Sequence, residues 1–206
     1  MPAGISRMSL SIEDPAQLFH RARLLWLGMN QEQINYIAAV AVLRRTSELG
    51  HVLARTWLAL IYYDGSRSIP LQRNRELAQE LIQDVLPVLR RRADAGAPLY
   101  RHFLSACYLT GLGVPRSEQV YLYYALPLAQ QCIAISCATM GMYCKKKGMR
   151  DVALPFFRVA ALQGVAFAQY QLALLSPNEN ERAMWLRRAQ NQDMPEAVLR
   201  PRIRPD

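Results

Sequence analysis

The sequence predicts an all-α chain, built as a solenoid of antiparallel helix hairpins. Three observations carry that expectation. Apolar residues recur three and four apart through nearly the whole chain, as in "QINYIAAVAVLRRTSEL", "RELAQELIQDVLPVLRRR" and "FAQYQLALL". That is the spacing of a helix with one buried face. No segment alternates apolar and polar residues long enough to argue a strand. Joints rich in glycine or proline recur at Gly28, Gly50, Gly65 to Pro70, Gly96 to Pro98, Gly111 to Pro115, Gly148, Gly164 and Ser176 to Asn178. Joints this short make neighbouring helices antiparallel. About ten helices of roughly 10 to 20 residues are expected.

In chain order, residues 1–13 are expected to be flexible. They hold no apolar run of signal-peptide length, and acids arrive at Glu13 and Asp14. Residues 14–49 form a capping hairpin, with helices from Pro15 to Gly28 and from Gln31 to Leu49. Residues 50–198 carry the repeats. Gly50, Ala54 and Leu58 are spaced four and four, as are Gly96, Tyr100 and Leu104, and Gly164, Ala168 and Leu172. Tyr62 and Tyr108 follow the leucines of the first two sets, and Gly65 and Gly111 follow the tyrosines. Recurrence of this kind is the signature of a repeat array. Second helices bring small residues, Ala153, Ala160 and Ala161, then Ala183 and Ala189, to the crossing. The stretch from Asn74 to Arg92 reads as one long helix kinked at Pro87. Asp151, Asn74 and Asp193 are candidate N-caps. The tail 199–206 is expected to be mobile.

The physical logic of the repeat is close approach. Small residues let the two helices of a hairpin meet, and the tyrosine at the far end fills the wedge before the next hairpin. The glycine tolerates the positive φ that ends the first helix. Gly111-Leu112-Gly113 follows a helix, and no Lys-Ser/Thr comes after it. A phosphate-cradling loop must instead follow a strand and open a helix. The segment is therefore a joint, with Pro115 stiffening the approach to the next helix.

The run Leu104, Ser105, Tyr108, Gly111, Gly113, Val114, Pro115 resembles the Sel-one-like (Sel1-like) repeats, a subgroup of the tetratricopeptide-like solenoids. "AALQGVAFAQYQLALL" matches the joint and the following first helix, and "LALIYYDGSRSIP" is a looser copy. The resemblance spans roughly residues 31 to 198. It implies a right-handed superhelix whose first helices line a concave face, and a protein-binding rather than catalytic task. Departures are visible. From Tyr62 to Tyr108 the chain advances 46 residues, longer than the family's unit. "TMGMYCKKKGMRDVA" keeps Met140-Gly141 but lacks the Gly-x-Gly loop.

The formal net charge is +9, with 25 Lys and Arg against 16 Asp and Glu. Such a balance suits an anionic partner, and equally an arginine-rich solvated surface. Residues 101–150 hold six basic groups and one acid, Glu118. Arg116, Lys145, Lys146, Lys147 and Arg150 form the candidate basic patch within that stretch. Cys107, Cys132, Cys137 and Cys144 lie in apolar helical patterns and read as buried thiols of a reducing cytoplasm; a bacterial setting is expected for the interaction module. Neither they nor His20, His51 and His102 have the spacing of a metal site. His102 and Cys107 fall on different helix faces, so they do not pair as nucleophile and base. No cofactor motif and no apolar stretch of about 18 residues occurs.

The resemblance places Arg55 and Thr56, Arg101 and His102, and Gln169 and Tyr170 towards the concave face. Trp57 and Phe103 come next and read as core. A row of Arg, His and Tyr suits an acidic or aromatic protein segment, since arginine and aromatics dominate interface hot spots. The expected function is a non-enzymatic interaction module: adaptor, assembly factor or inhibitor. The alternatives are nucleic-acid or anionic-surface binding through residues 101–150, and an immunity-type inhibitor of an effector.

Overall fold

A computed structural model describes residues 14–65 and 71–198. The expected flexible ends, 1–13 and 199–206, and the joint residues 66–70 lie outside the described residues.

Among the described residues there are twelve α-helices. The first is α1 (Pro15–Leu27), followed by a 3-10 turn at Met29–Gln31 and α2 (Tyr36–Glu48). Then come α3 (Val52–Asp64), α4 (Arg75–Gln83), α5 (Leu86–Asp94), α6 (Pro98–Thr110) and α7 (Glu118–Gln130). The chain continues through α8 (Ala134–Lys146), α9 (Arg150–Leu162), α10 (Ala166–Leu175), α11 (Glu179–Asn191) and α12 (Pro195–Val198). Side-chain caps begin many of them. Asp14, Asn35, Asn74, Ser117 and Asn178 each accept a hydrogen bond from an N–H in the first turn. Asn74 is thus a cap, as expected. Asp151 is not: α9 begins one residue earlier, so its carboxylate sits within the first turn, where the helix dipole favours it. Asp193 is not one either, because its φ of 54° places it in a left-handed turn after α11.

The stretch from Asn74 to Arg92 is two helices, not one kinked helix. α4 stops at Gln83, and Pro87 lies in the first turn of α5. A proline there needs no N–H partner and has a helical φ already. The break lets this second arm follow α3, which packs against both α4 and α5.

The repeat positions behave alike at atomic level. Ala54, Leu58, Leu104, Ala168 and Leu172 are buried core residues. Gly65, Gly111 and Gly164 all have positive φ. Asn74 donates its N–H to Tyr62 O, and Ser117 donates to Tyr108 O, both at 2.9 Å. Arg44 donates to the Tyr62 hydroxyl at 2.8 Å, and Arg90 to the Tyr108 hydroxyl at 3.5 Å. Both tyrosines are only half-buried, because each spans the gap between hairpins and ends at solvent.

Two apolar clusters form the core, one built mainly from α2 to α6 and the other from α7 to α12. α1 joins them. Phe19 and Ala22 belong to the first cluster, and Leu27 to the second. The α1–α2 hairpin packs on α3, and its far end reaches the last hairpin. There Ile34 donates its N–H to Gln192 O at 2.9 Å. Gln192 Nε2 donates to Gly28 O at 2.5 Å and to Gly164 O at 3.2 Å. Gly28 is required at this crossing. Its φ is +67°, and a Cβ there would lie 3.2 Å from Ala166 Cβ.

Candidate functional site

The first helices of successive hairpins, α3, α6, α8 and α10, together line one inner face. α1 crosses the N-terminal part of that face. Its Phe19 ring stacks on His51 at 4.6 Å and meets Trp57 at 6.0 Å and Phe103 at 6.3 Å. Trp26 lies 5.3 Å from Trp57. Trp57 and Phe103 are therefore core, as expected, with α1 as their cover.

What α1 leaves open is a cleft of about 1080 Å³. Leu60 and Ile61 of α3, Ala106 and Leu109 of α6, Ile135 and Met142 of α8 and Phe167 of α10 line its apolar part, with Trp26 and Tyr36 as a wall. Its polar lining includes Tyr63, Asp64, Arg75, Arg116, Glu118, Tyr143, Lys146 and Lys147. The Arg75 guanidinium sits 5.1 Å above the Tyr63 ring, and Lys147 Nζ lies 5.7 Å from the Tyr143 ring. Glu118 pairs with Lys147 at 2.6 Å and accepts a hydrogen bond from the Tyr143 hydroxyl. These two bonds hold its carboxyl below the usual carboxylate range, and the Tyr143 phenol is pushed up to about 12.

The six residues expected on the concave face divide differently. Thr56 is fully buried and donates its hydroxyl to Val52 O. Gln169 is buried and donates to Ala161 O at 3.3 Å, and Tyr170 is buried too. All three expectations of an open position are corrected. Thr56 bonds back onto its own helix and Gln169 reaches back to the last turn of α9, so neither side chain is presented on an open face. Arg55 is partly exposed but pairs with Asp84 at 2.8 Å. Arg101 donates Nε–H to Ala93 O at 2.9 Å, holding the last turn of α5. Both arginines thus brace neighbouring helices.

His102 borders the cleft but is only 5% exposed. Its Nδ1 lies 3.2 Å from Ser136 Oγ, and burial, with the Arg23 charge second, pushes its pKa down to about 4. A neutral imidazole beside a serine hydroxyl has the parts of a nucleophilic pair. Ser136 is wholly buried, however, and no carboxylate among the described residues orients the ring. The pair satisfies two buried polar groups.

The basic patch also divides. Arg116, Lys146 and Lys147 line the cleft, while Lys145 turns to Gln171 Oε1 at 2.6 Å. Arg150 opens α9 and does not line the cleft. Cys107, Cys137 and Cys144 are buried, and burial raises the Cys107 thiol to about 12. Cys132 is exposed, contrary to expectation. It falls after α7 with φ of 57°, in the joint rather than on a helix face. Among the described residues no group of three or more His, Cys, Asp or Glu could hold a metal, and no helix is long and apolar enough to cross a membrane.

Sequence reasoning missed the cleft-lining Leu60, Ala106, Leu109, Thr139 and Met142. Ala106 and Thr110 are one turn apart on α6, as are Thr139 and Tyr143 on α8. Leu60, Leu109 and Met142 are apolar helix residues like those of the core, and no spacing in the sequence separates them from buried ones.

No family model matches the sequence. The solved Sel1 repeat protein from Oxalobacter formigenes aligns with a TM-score of 0.50 and 17% identity, over 90% of this chain and 76% of that one. The chain has the Sel1-repeat fold. A protective antigen of uropathogenic Escherichia coli, c5321, which displays an SLR fold, gives a TM-score of 0.49 at 21% identity. That match covers 89% of this chain and 40% of c5321, so the chain spans well under half of that protein's length. The immunity protein Pa5087 from Pseudomonas aeruginosa gives 0.44 at 18% identity, over 90% of this chain and 84% of that one. Within this Sel1-repeat fold, α1 is the element that narrows the inner face to a cleft.

Proposed function

We propose that this protein is a non-enzymatic interaction module that receives a segment of a partner protein in the cleft across α3, α6, α8 and α10. One observation carries the reading: an apolar floor shared by four helices of different hairpins, flanked by Arg75, Arg116 and Lys146. A preformed groove of this kind binds with little rearrangement, and a solenoid presents it as a continuous surface. Adaptor, assembly factor and inhibitor of an effector are all roles that such a groove serves. The four unpaired cysteines suit a reducing cytoplasm.

A photo-crosslinking residue at Ala106 or Thr139 tests this in the native cell, with the exposed Met149 as control position. One dominant protein trapped from Ala106 and Thr139, and absent from the Met149 sample, supports the module and names its partner. Equal trapping at all three positions, or none, overturns it. The nucleic-acid reading loses weight because Lys145 and Lys147 are engaged within the protein.

A further inference from the structure

The cleft floor offers a peptide carbonyl almost no free donor. The Thr110 hydroxyl donates to Ala106 O at 2.9 Å and the Thr139 hydroxyl to Ser136 O at 3.0 Å. His102 Nδ1 is taken by Ser136. An extended segment pressed onto this floor would leave its inward-facing C=O groups without donors, at about 1–3 kcal/mol for each one buried. A helix satisfies those groups internally. α1 shows the arrangement on the adjoining stretch of the same face. It is a helix whose Phe19 and Ala22 are buried in the cluster that holds Trp57 and Phe103, while His20 and Arg21 face solvent.

Charge narrows the choice. Arg75, Arg116 and Lys146 are exposed around the cleft and make no ion pair among the described residues. Of the two carboxylates there, Asp64 and Glu118, the second is held by Lys147 and Tyr143. The surplus is positive.

We infer that the cleft takes an amphipathic helix of a partner protein, apolar side on the floor and acidic side chains on the flanks facing Arg75, Arg116 and Lys146. The inference rests on the interaction-module reading and deepens it. The open cleft of about 1080 Å³ has room for two turns or more of such a helix. Apolar anchors at i, i+3, i+4 and i+7 would span them.

A random 16-residue peptide display library, selected on the full chain, provides the test. Binders are sorted by whether Ala106→Arg, which blocks the floor, abolishes them. Thr139→Arg repeats the sort from α8, and circular dichroism confirms that both variants are folded. Each cleft-dependent peptide is then titrated by fluorescence anisotropy in three forms: as selected, with a central proline, and with its acids changed to lysine. The expected result is acidic peptides that lose at least about tenfold in affinity with either change. Lys146→Glu should weaken the acidic form about tenfold and strengthen the lysine form. Cleft-dependent peptides that are basic, or indifferent to the proline, overturn the helix inference while leaving the module reading standing. A library without any cleft-dependent binder overturns both. A fluorescein-labelled single-stranded oligonucleotide that binds through Arg116 and Lys146 more tightly than any peptide assigns the cations to nucleic acid and also overturns it.

Discussion

Gln192 Nε2 donates to Gly28 O at 2.5 Å and to Gly164 O at 3.2 Å, so one amide ties the first joint of the chain to the last hairpin. Gly28 is the left-handed cap of α1, and Gly164 lies in the joint before α10. Replacing the amide removes the donor from both at once. Gln192→Ala is expected to lower stability by about 1–3 kcal/mol. It should also speed hydrogen exchange at the Ile34 amide, which bonds the Gln192 carbonyl. Urea unfolding and exchange mass spectrometry check the two effects. A variant with unchanged exchange over residues 28–36 would show that α1–α2 docks independently of this contact.

Gly141 lies in α8, where a Cβ would come within 2.8 Å of the Phe157 ring on α9. This is the close crossing of the α8–α9 hairpin, and the ring fills the space a side chain would need. Gly141→Ala is expected to destabilise by about 1–3 kcal/mol through overpacking. Combining it with Phe157→Leu should recover part of the loss, a coupling of at least about 0.5 kcal/mol in a double-mutant cycle. Strict additivity by urea denaturation would place the clash elsewhere.

The array was legible in the sequence because its constraints are local. Glycine at a left-handed helix end, small residues at a crossing and tyrosine at a wedge each leave a mark at fixed spacing. The shared bonds from Asn74 to Tyr62 and from Ser117 to Tyr108 show that the two units repeat the same contact after the first helix, although their joints differ in length. The open part of the inner face was not legible. Thr56, His102 and Gln169 sit at positions that face inward in one unit considered alone. Whether such a face stays open depends on residues far away in the chain: Phe19 meets Phe103, Trp26 meets Trp57, and Ser136 reaches His102. No spacing within a repeat encodes where another helix will lie across it.

Arg55 and Arg101 are expected to affect stability and not segment binding. Arg55 pairs with the exposed Asp84 carboxylate, so Arg55→Ala should lose about 0.2–1 kcal/mol. Arg101 holds a carbonyl at the end of α5, and Arg101→Ala should lose about 1 kcal/mol. Affinity for a cleft-binding peptide should stay within about twofold of the parent in both variants. Anisotropy titration of the same peptide reads this, and a loss above about tenfold in either variant would return that arginine to the binding face.

His102 makes stability depend on pH, and the direction follows from its surroundings. Burial first, and the nearby Arg23 charge second, lower its pKa to about 4 from the ordinary 6.5. The unfolded chain therefore takes up a proton near pH 6.5, and the folded chain only near pH 4. Between those values the unfolded state binds more protons, so stability rises with pH. The contribution of the neutral ring is complete above about pH 6.5 and is lost as pH falls to about 4. Each tenfold weakening of proton binding is worth about 1.4 kcal/mol, so the contribution is on the order of 3 kcal/mol. His51 adds in the same sense, since burial lowers it too, against a smaller opposing pull from Asp14. His102→Gln keeps a hydrogen-bonding group beside Ser136 and removes the titration. Unfolding free energies from urea melts at about pH 7, 6, 5 and 4.5 should fall more steeply for the parent than for the variant. Parallel slopes would mean that the folded protein protonates His102 as readily as the unfolded chain does, and the buried neutral pair with Ser136 would have to be abandoned.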